Sequence, residues 1–138
     1  MMKKIILILL AAVVLAACQA KPVVGETITI AGGSYKNVSA QELNKMLKEK
    51  DFLFINVHTP FAGIITDTDL SIPYNEISVP ENLFQLPVDK NAKIVLYCRS
   101  GRMSELAAKE LASLGYTNIW NLVGGMVEWE QAGYEIEN

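Results

Sequence analysis

Arginine is scarce in this 138-residue chain: Arg99 and Arg102 are the only two. His58 is the sole histidine, and Cys18 and Cys98 are the two cysteines. So small a set of nitrogen and sulfur ligands cannot assemble a metal site, and neither a metal nor an organic cofactor is expected. Lysine and arginine together number 12 against 15 acidic residues and form no run, which argues against nucleic acid as a partner. No internal repeat or low-complexity tract is present. The one extended apolar run, Ile5–Ala17, has thirteen residues, too few for a stable bilayer-spanning helix but suited to a signal-peptide core.

The N-terminus reads as a targeting device. Met1–Lys4 is a short basic start, the apolar run follows, and it closes on Leu15-Ala16-Ala17-Cys18. This ending resembles the lipobox of bacterial lipoproteins, in which the cysteine becomes the first mature residue and carries lipid. An ordinary signal peptide with a cysteine near its cleavage site is the alternative. On the lipoprotein reading, residues 1–17 are the signal peptide and Cys18 attaches the chain to a membrane of the cell envelope, facing periplasm or exterior. Several acyl chains on one terminus make such an attachment durable. Loss of Lys3 and Lys4 with the signal leaves ten basic residues against fifteen acidic, a net charge of −5. Lipidation also removes Cys18 as a disulfide partner. Cys98 then stands as a lone thiol in a compartment that favours oxidation, where an unused thiol is a liability.

The mature chain divides in two. Residues 18–37 are polar, with Pro22, Gly25 and Gly32-Gly33, and read as a tether with a short strand at Thr27–Ile30. Residues 38–138 read as one α/β domain, and 51% apolar content is enough to build its core. Ser39-Ala40-Gln41-Glu42 is a capping box that starts a helix, with Leu43, Met46 and Leu47 on one face up to Lys50. Phe52–Val57 is a nearly continuous apolar run, as in a strand covered on both sides. Pro80–Pro87 predicts a short helical turn between its prolines. Such alternation implies a parallel sheet with helices on both faces, whose ligands bind at the carboxyl ends of the strands.

Lys93–Leu114 organises the rest. Ile94–Tyr97 is a short buried strand, Cys98–Met103 a six-residue turn, and a helix follows. Met103, Leu106, Ala107, Leu111 and Leu114 supply its apolar face, and Gly115 stops it. A cysteine between strand end and helix start sees unused backbone N–H groups and the positive end of the helix dipole, both of which favour negative charge on sulfur. Both arginines lie within four residues of it.

Strand, Cys98-Arg99-Ser100-Gly101, then helix resembles the active-site loop of the rhodanese family of sulfurtransferases. Asn118–Trp129, NIWNLVGGMVEW, is similar to that family's closing segment, and the match runs from about Val38 to Ile136. The resemblance implies a rhodanese-like sheet and a persulfide on Cys98, cradled by the loop residues Arg99, Ser100, Gly101, Arg102, Met103 and Ser104. It implies a small sulfur-containing anion such as thiosulfate as donor and a thiol or cyanide as acceptor, in a monomer.

Two departures stand out. The family loop is C-x-x-G-x-R, but here Met103 takes the arginine position and Arg102 falls one residue earlier. Met103 belongs by spacing to the helix's apolar face, which would leave Arg102 to meet the donor. Asn56 and His58 stand where the family has Asp and Arg. His58 either assists the reaction near Cys98 or is a strand-end residue bonded to a loop. Asp67 and Asp69 read as an acidic surface loop, because the glycine and glutamate of a calcium loop are out of register. Phosphatase chemistry would need an arginine where Ser104 stands. A non-catalytic rhodanese-like binding or sulfur-sensing module, favoured by Met103, and a structural lipoprotein with an inert Cys98 are the remaining alternatives.

Overall fold

A computed structural model describes residues 21–138. The expected signal peptide, residues 1–17, and Cys18 lie outside the described residues. One six-stranded sheet carries the fold, in the order β1-β2-β6-β5-β3-β4. Strands β2 (Gly33–Val38), β3 (Leu53–Asn56), β4 (Leu70–Ser71), β5 (Ile94–Tyr97) and β6 (Ile119–Leu122) run parallel. β1 (Glu26–Ile30) runs antiparallel along the edge, joined to β2 by a tight turn at Ala31-Gly32. The segment expected to be a tether is therefore folded from Glu26 onward, and the end of β2 pairs with β6 across Lys36–Val38 and Trp120–Leu122.

Helices cover both faces. α1 (Ala40–Lys48) and α4 (Gly125–Gln131) pack on one side, where Leu43, Phe54, Val95, Tyr97, Trp120, Met126 and Trp129 form a core. The capping box is present in full: Glu42 N–H donates to Ser39 Oγ at 3.1 Å, and Ser39 N–H donates to Glu42 Oε2 at 2.8 Å. The other face carries α2 (Pro80–Leu83), a 3-10 turn at Tyr74–Glu76 and α3 (Arg102–Ser113) over Ile55, Ile94, Leu96 and Ile119. The central strands β5 and β6 are buried on both sides, which is why they lack apolar-polar alternation.

α3 corrects one expectation. Its buried residues are Ser104, Ala107, Ala108, Leu111 and Ala112, while Leu106 is 43% exposed and Leu114 also reaches solvent. The helix is rotated from the face that its leucines suggested because small residues let it lie close to the sheet. A Cβ added at Gly33 of β2 would sit 3.3 Å from Ala112 Cβ. Among the described residues, no helix is long and apolar enough to cross a membrane.

Candidate active site

Parallel strands leave their carboxyl ends on one rim, and the following loops meet there. β5 delivers Cys98 to that rim, β3 delivers His58, and β6 delivers the Val123-Gly124 turn into α4. Two hydrogen bonds tie the cysteine loop to α4: Met126 N–H donates to Cys98 O at 2.9 Å, and Val127 N–H to Arg99 O at 3.0 Å. The first free N–H groups of α4 are satisfied by the loop they hold. Gly125, at φ +55°, allows this close approach: a Cβ there would overlap the Cys98 carbonyl oxygen and sit 2.8 Å from the Arg99 carbonyl.

The thiol faces inward, and Cys98 is 1% exposed. Gly101, at φ +103° before the first turn of α3, directs its N–H to Cys98 Sγ at 3.0 Å. Ser104, buried in that first turn, places its hydroxyl 3.5 Å from the sulfur and 3.1 Å from Gly101 O. A hydroxyl has one proton, so Ser104 can donate to the carbonyl or turn it to an anionic sulfur. A sulfur atom here thus meets an amide and a hydroxyl at a helix N-terminus, a setting for sulfur-centred negative charge.

Arg99, Ser100 and Arg102 are exposed around the mouth of the loop, while Met103, in the first turn of α3, packs against the core. Among the described residues neither arginine enters an ion pair. Both guanidinium groups stand available to an incoming anion. His58 is partly exposed, and its imidazole is held below the ordinary histidine value of 6.5, first by burial and then by the Arg99 cation. Its backbone N–H donates to Asn56 Oδ1 at 3.0 Å, and among the described residues its ring makes no hydrogen bond to Cys98.

Residues not singled out by their spacing hold the rim in place. Buried Asn56 bonds His58 N–H with its oxygen and donates from Nδ2 to Gly63 O at 3.0 Å, closing the loop after β3. The first bond is the short-range turn that asparagine favours, a signal the strand-end Asn-x-His carried. Tyr97, at the end of β5, accepts the buried Ile65 N–H at 3.0 Å and lies 2.7 Å from Thr68 Oγ1. Burial pushes its phenol above the ordinary tyrosine value. Asp69 accepts Phe54 N–H at 2.8 Å and Lys50 Nζ at 2.7 Å, so it anchors β3 beyond its place in an acidic loop.

Similarity to known proteins follows this geometry. The rhodanese-like domain family matches residues 39–132, and the prokaryotic membrane lipoprotein lipid attachment site matches residues 2–19. A sulfurtransferase from Allochromatium vinosum is 32% identical over 103 residues, covering 72% of this chain and 92% of the relative. A tRNA uridine(34) hydroxylase from Hamiltonella defensa is 32% identical over 101 residues, but there the chain spans only 27% of the relative's length. The crystal structure of a rhodanese-like domain protein from Staphylococcus aureus superposes with a TM-score of 0.60 at 30% identity, covering 75% of this chain and 99% of the other. With the cysteine loop, the parallel sheet and these matches in agreement, the chain belongs to the rhodanese-like domain family, and it bears a prokaryotic lipoprotein attachment signal at its N-terminus.

Proposed function

We propose that this protein is a sulfurtransferase working through a persulfide on Cys98, with a small sulfane anion such as thiosulfate as donor. The observation that carries the reading is the Gly101 N–H aimed at Cys98 Sγ from the mouth of α3. The Cys98 thiolate attacks the outer sulfur of thiosulfate, forming a sulfur–sulfur bond as the original one breaks. Sulfite leaves with the electron pair of that bond. The persulfide anion left on Cys98 is stabilised by the amides of Arg99–Ser104 and by the Ser104 hydroxyl. An acceptor thiolate, or cyanide, then attacks the terminal sulfur and returns Cys98 to its thiolate. Arg99 and Arg102 draw the donor dianion toward an otherwise acidic domain. Similarity to the sulfurtransferase along nearly its whole length supports this choice.

Thiocyanate formation from thiosulfate and cyanide, read beside intact mass, tests it. One added sulfur on Cys98 together with turnover, both lost in Cys98→Ser, is the expected result. A folded, reduced protein that gains no sulfur refutes it. A second reading, a non-catalytic sulfur-binding module, is favoured by Met103 packed on the core where the family's arginine stands. Gain of sulfur without turnover to any thiol or cyanide acceptor would support that reading.

A further inference from the structure

The route by which the chain enters the fold bears on how the site is presented. β1 is antiparallel to the other strands, so its first residue, Glu26, lies level with Asn37, at the end of β2 nearest the Cys98 rim. Gly25 and Glu26 line one hollow with Ser39 and Val123, which follow the carboxyl ends of β2 and β6. Val23 already packs against the core. Five residue steps separate it from Cys18, and these span at most about 18 Å when fully extended. Cys98 directly follows β5, three strands from β1, or about 14 Å along the sheet.

The same rim exposes apolar side chains: Phe61 at 64%, with Val24, Val123 and Val127. Arg99 and Arg102 stand among them, with Glu26 and Glu128 as exposed acids of the same end. A second apolar surface lies at the opposite end, a cleft of 390 Å³ where Phe84 and Val88 flank Tyr116 and Lys90. For that cleft to touch the bilayer, the link to Cys18 would have to run the height of the domain. β2 alone, with six residues, spans about 20 Å, more than the link can reach.

We infer that the rim bearing Cys98 faces the bilayer to which the chain is attached, with Phe61, Val123 and Val127 against the interface and the mouth of the cysteine loop left open between them. This orientation rests on lipid attachment at Cys18 and is independent of which sulfur compounds react. Exposed apolar side chains at the end from which the lipid-bearing link leaves suit shallow insertion at an interface.

The test uses the full lipidated chain in vesicles of phosphatidylethanolamine and phosphatidylglycerol containing doxyl-labelled lipid, with Phe61→Trp and Phe84→Trp as reporters at the two ends. Against the constant signal of Trp120 and Trp129, the Phe61→Trp emission is expected to shift to the blue and lose most of its intensity. The Phe84→Trp emission is expected to stay unchanged. The reverse pattern overturns the inference in favour of the cleft, and quenching at neither position overturns it in favour of a domain held clear of the surface. Intact mass at Cys18 and flotation with the vesicles separate the two premises. A chain that carries no lipid and does not float fails at attachment, whereas a floating chain with an unquenched Phe61→Trp fails at orientation alone.

Discussion

Gly125→Ala tests the contact between the cysteine loop and α4. At φ +55°, an added methyl group meets the conformational cost of a left-handed residue, about 1–2 kcal/mol. It also meets backbone: the Cys98 carbonyl oxygen, which it would overlap, and the Arg99 carbonyl at 2.8 Å. Those carbonyls cannot swing aside as a side chain could, because Met126 and Val127 hold them at 2.9 and 3.0 Å. Relief requires the loop to retreat by about an ångström, beyond hydrogen-bond range for both, and each lost bond costs about 1 kcal/mol. The expected destabilisation is about 3–4 kcal/mol, a large share of the stability of a small domain. Gly133→Ala is the control: at φ +91° with nothing within 4 Å of the new methyl, it bears conformational strain alone. Urea unfolding of the two variants, compared at equal slope, gives the difference. If Gly125→Ala loses no more stability than Gly133→Ala, the loop is not wedged against α4 as argued.

Arg102→Ala is expected to raise the KM for thiosulfate about tenfold with little change in kcat, as loss of one charge-assisted contact of about 1.5 kcal/mol would do. An unchanged KM dismisses Arg102 as a donor-binding residue. Tyr97→Phe leaves the buried Ile65 N–H without its acceptor, so it should cost about 1–3 kcal/mol in urea unfolding while sulfur loading persists. For the lone imidazole, an NMR titration should place His58 below 6.5, and Arg99→Ala should move it up only part of the way, because burial is the larger cause. Since the folded state binds that proton less readily than the unfolded chain, stability should be full above 6.5 and decline as pH falls from there to the lowered value; His58→Gln should abolish this slope.

Local chemistry was legible wherever neighbours in sequence are also partners in space. The capping box, the proline-bounded turn at Pro80 and the strand–Cys98–helix junction are of that kind, and each sits where its residues pointed. The hairpin was only half visible. Gly33–Val38 has two buried apolar side chains, Tyr35 and Val38, and its pairing with β6 depends on a strand more than eighty residues away. The second bond of Asn56 and the role of Tyr97 do not show in local sequence: their partners are loop atoms that return from Gly63, Ile65 and Thr68.

The face that α3 buries bears directly on the candidate site. Counting apolar residues gives weight to leucine, yet Leu106 points outward while Ala107, Ala108 and Ala112 face the sheet. Small side chains bring a helix closer than leucines could, and the near-contact between Ala112 and Gly33 marks how close α3 lies to β2. A helix at that depth carries its first turn down to the end of β5. There the Gly101 N–H reaches Cys98 Sγ and Ser104 is buried beside it. A bulkier face would lift α3 and draw the amide away from the sulfur. Met103 fits the same account: one residue short of Ser104, it fills the flank between helix and core, where an arginine would have to bury its charge or turn outward. The alanines that weaken the helix's hydrophobic pattern therefore set the distance on which the proposed chemistry depends.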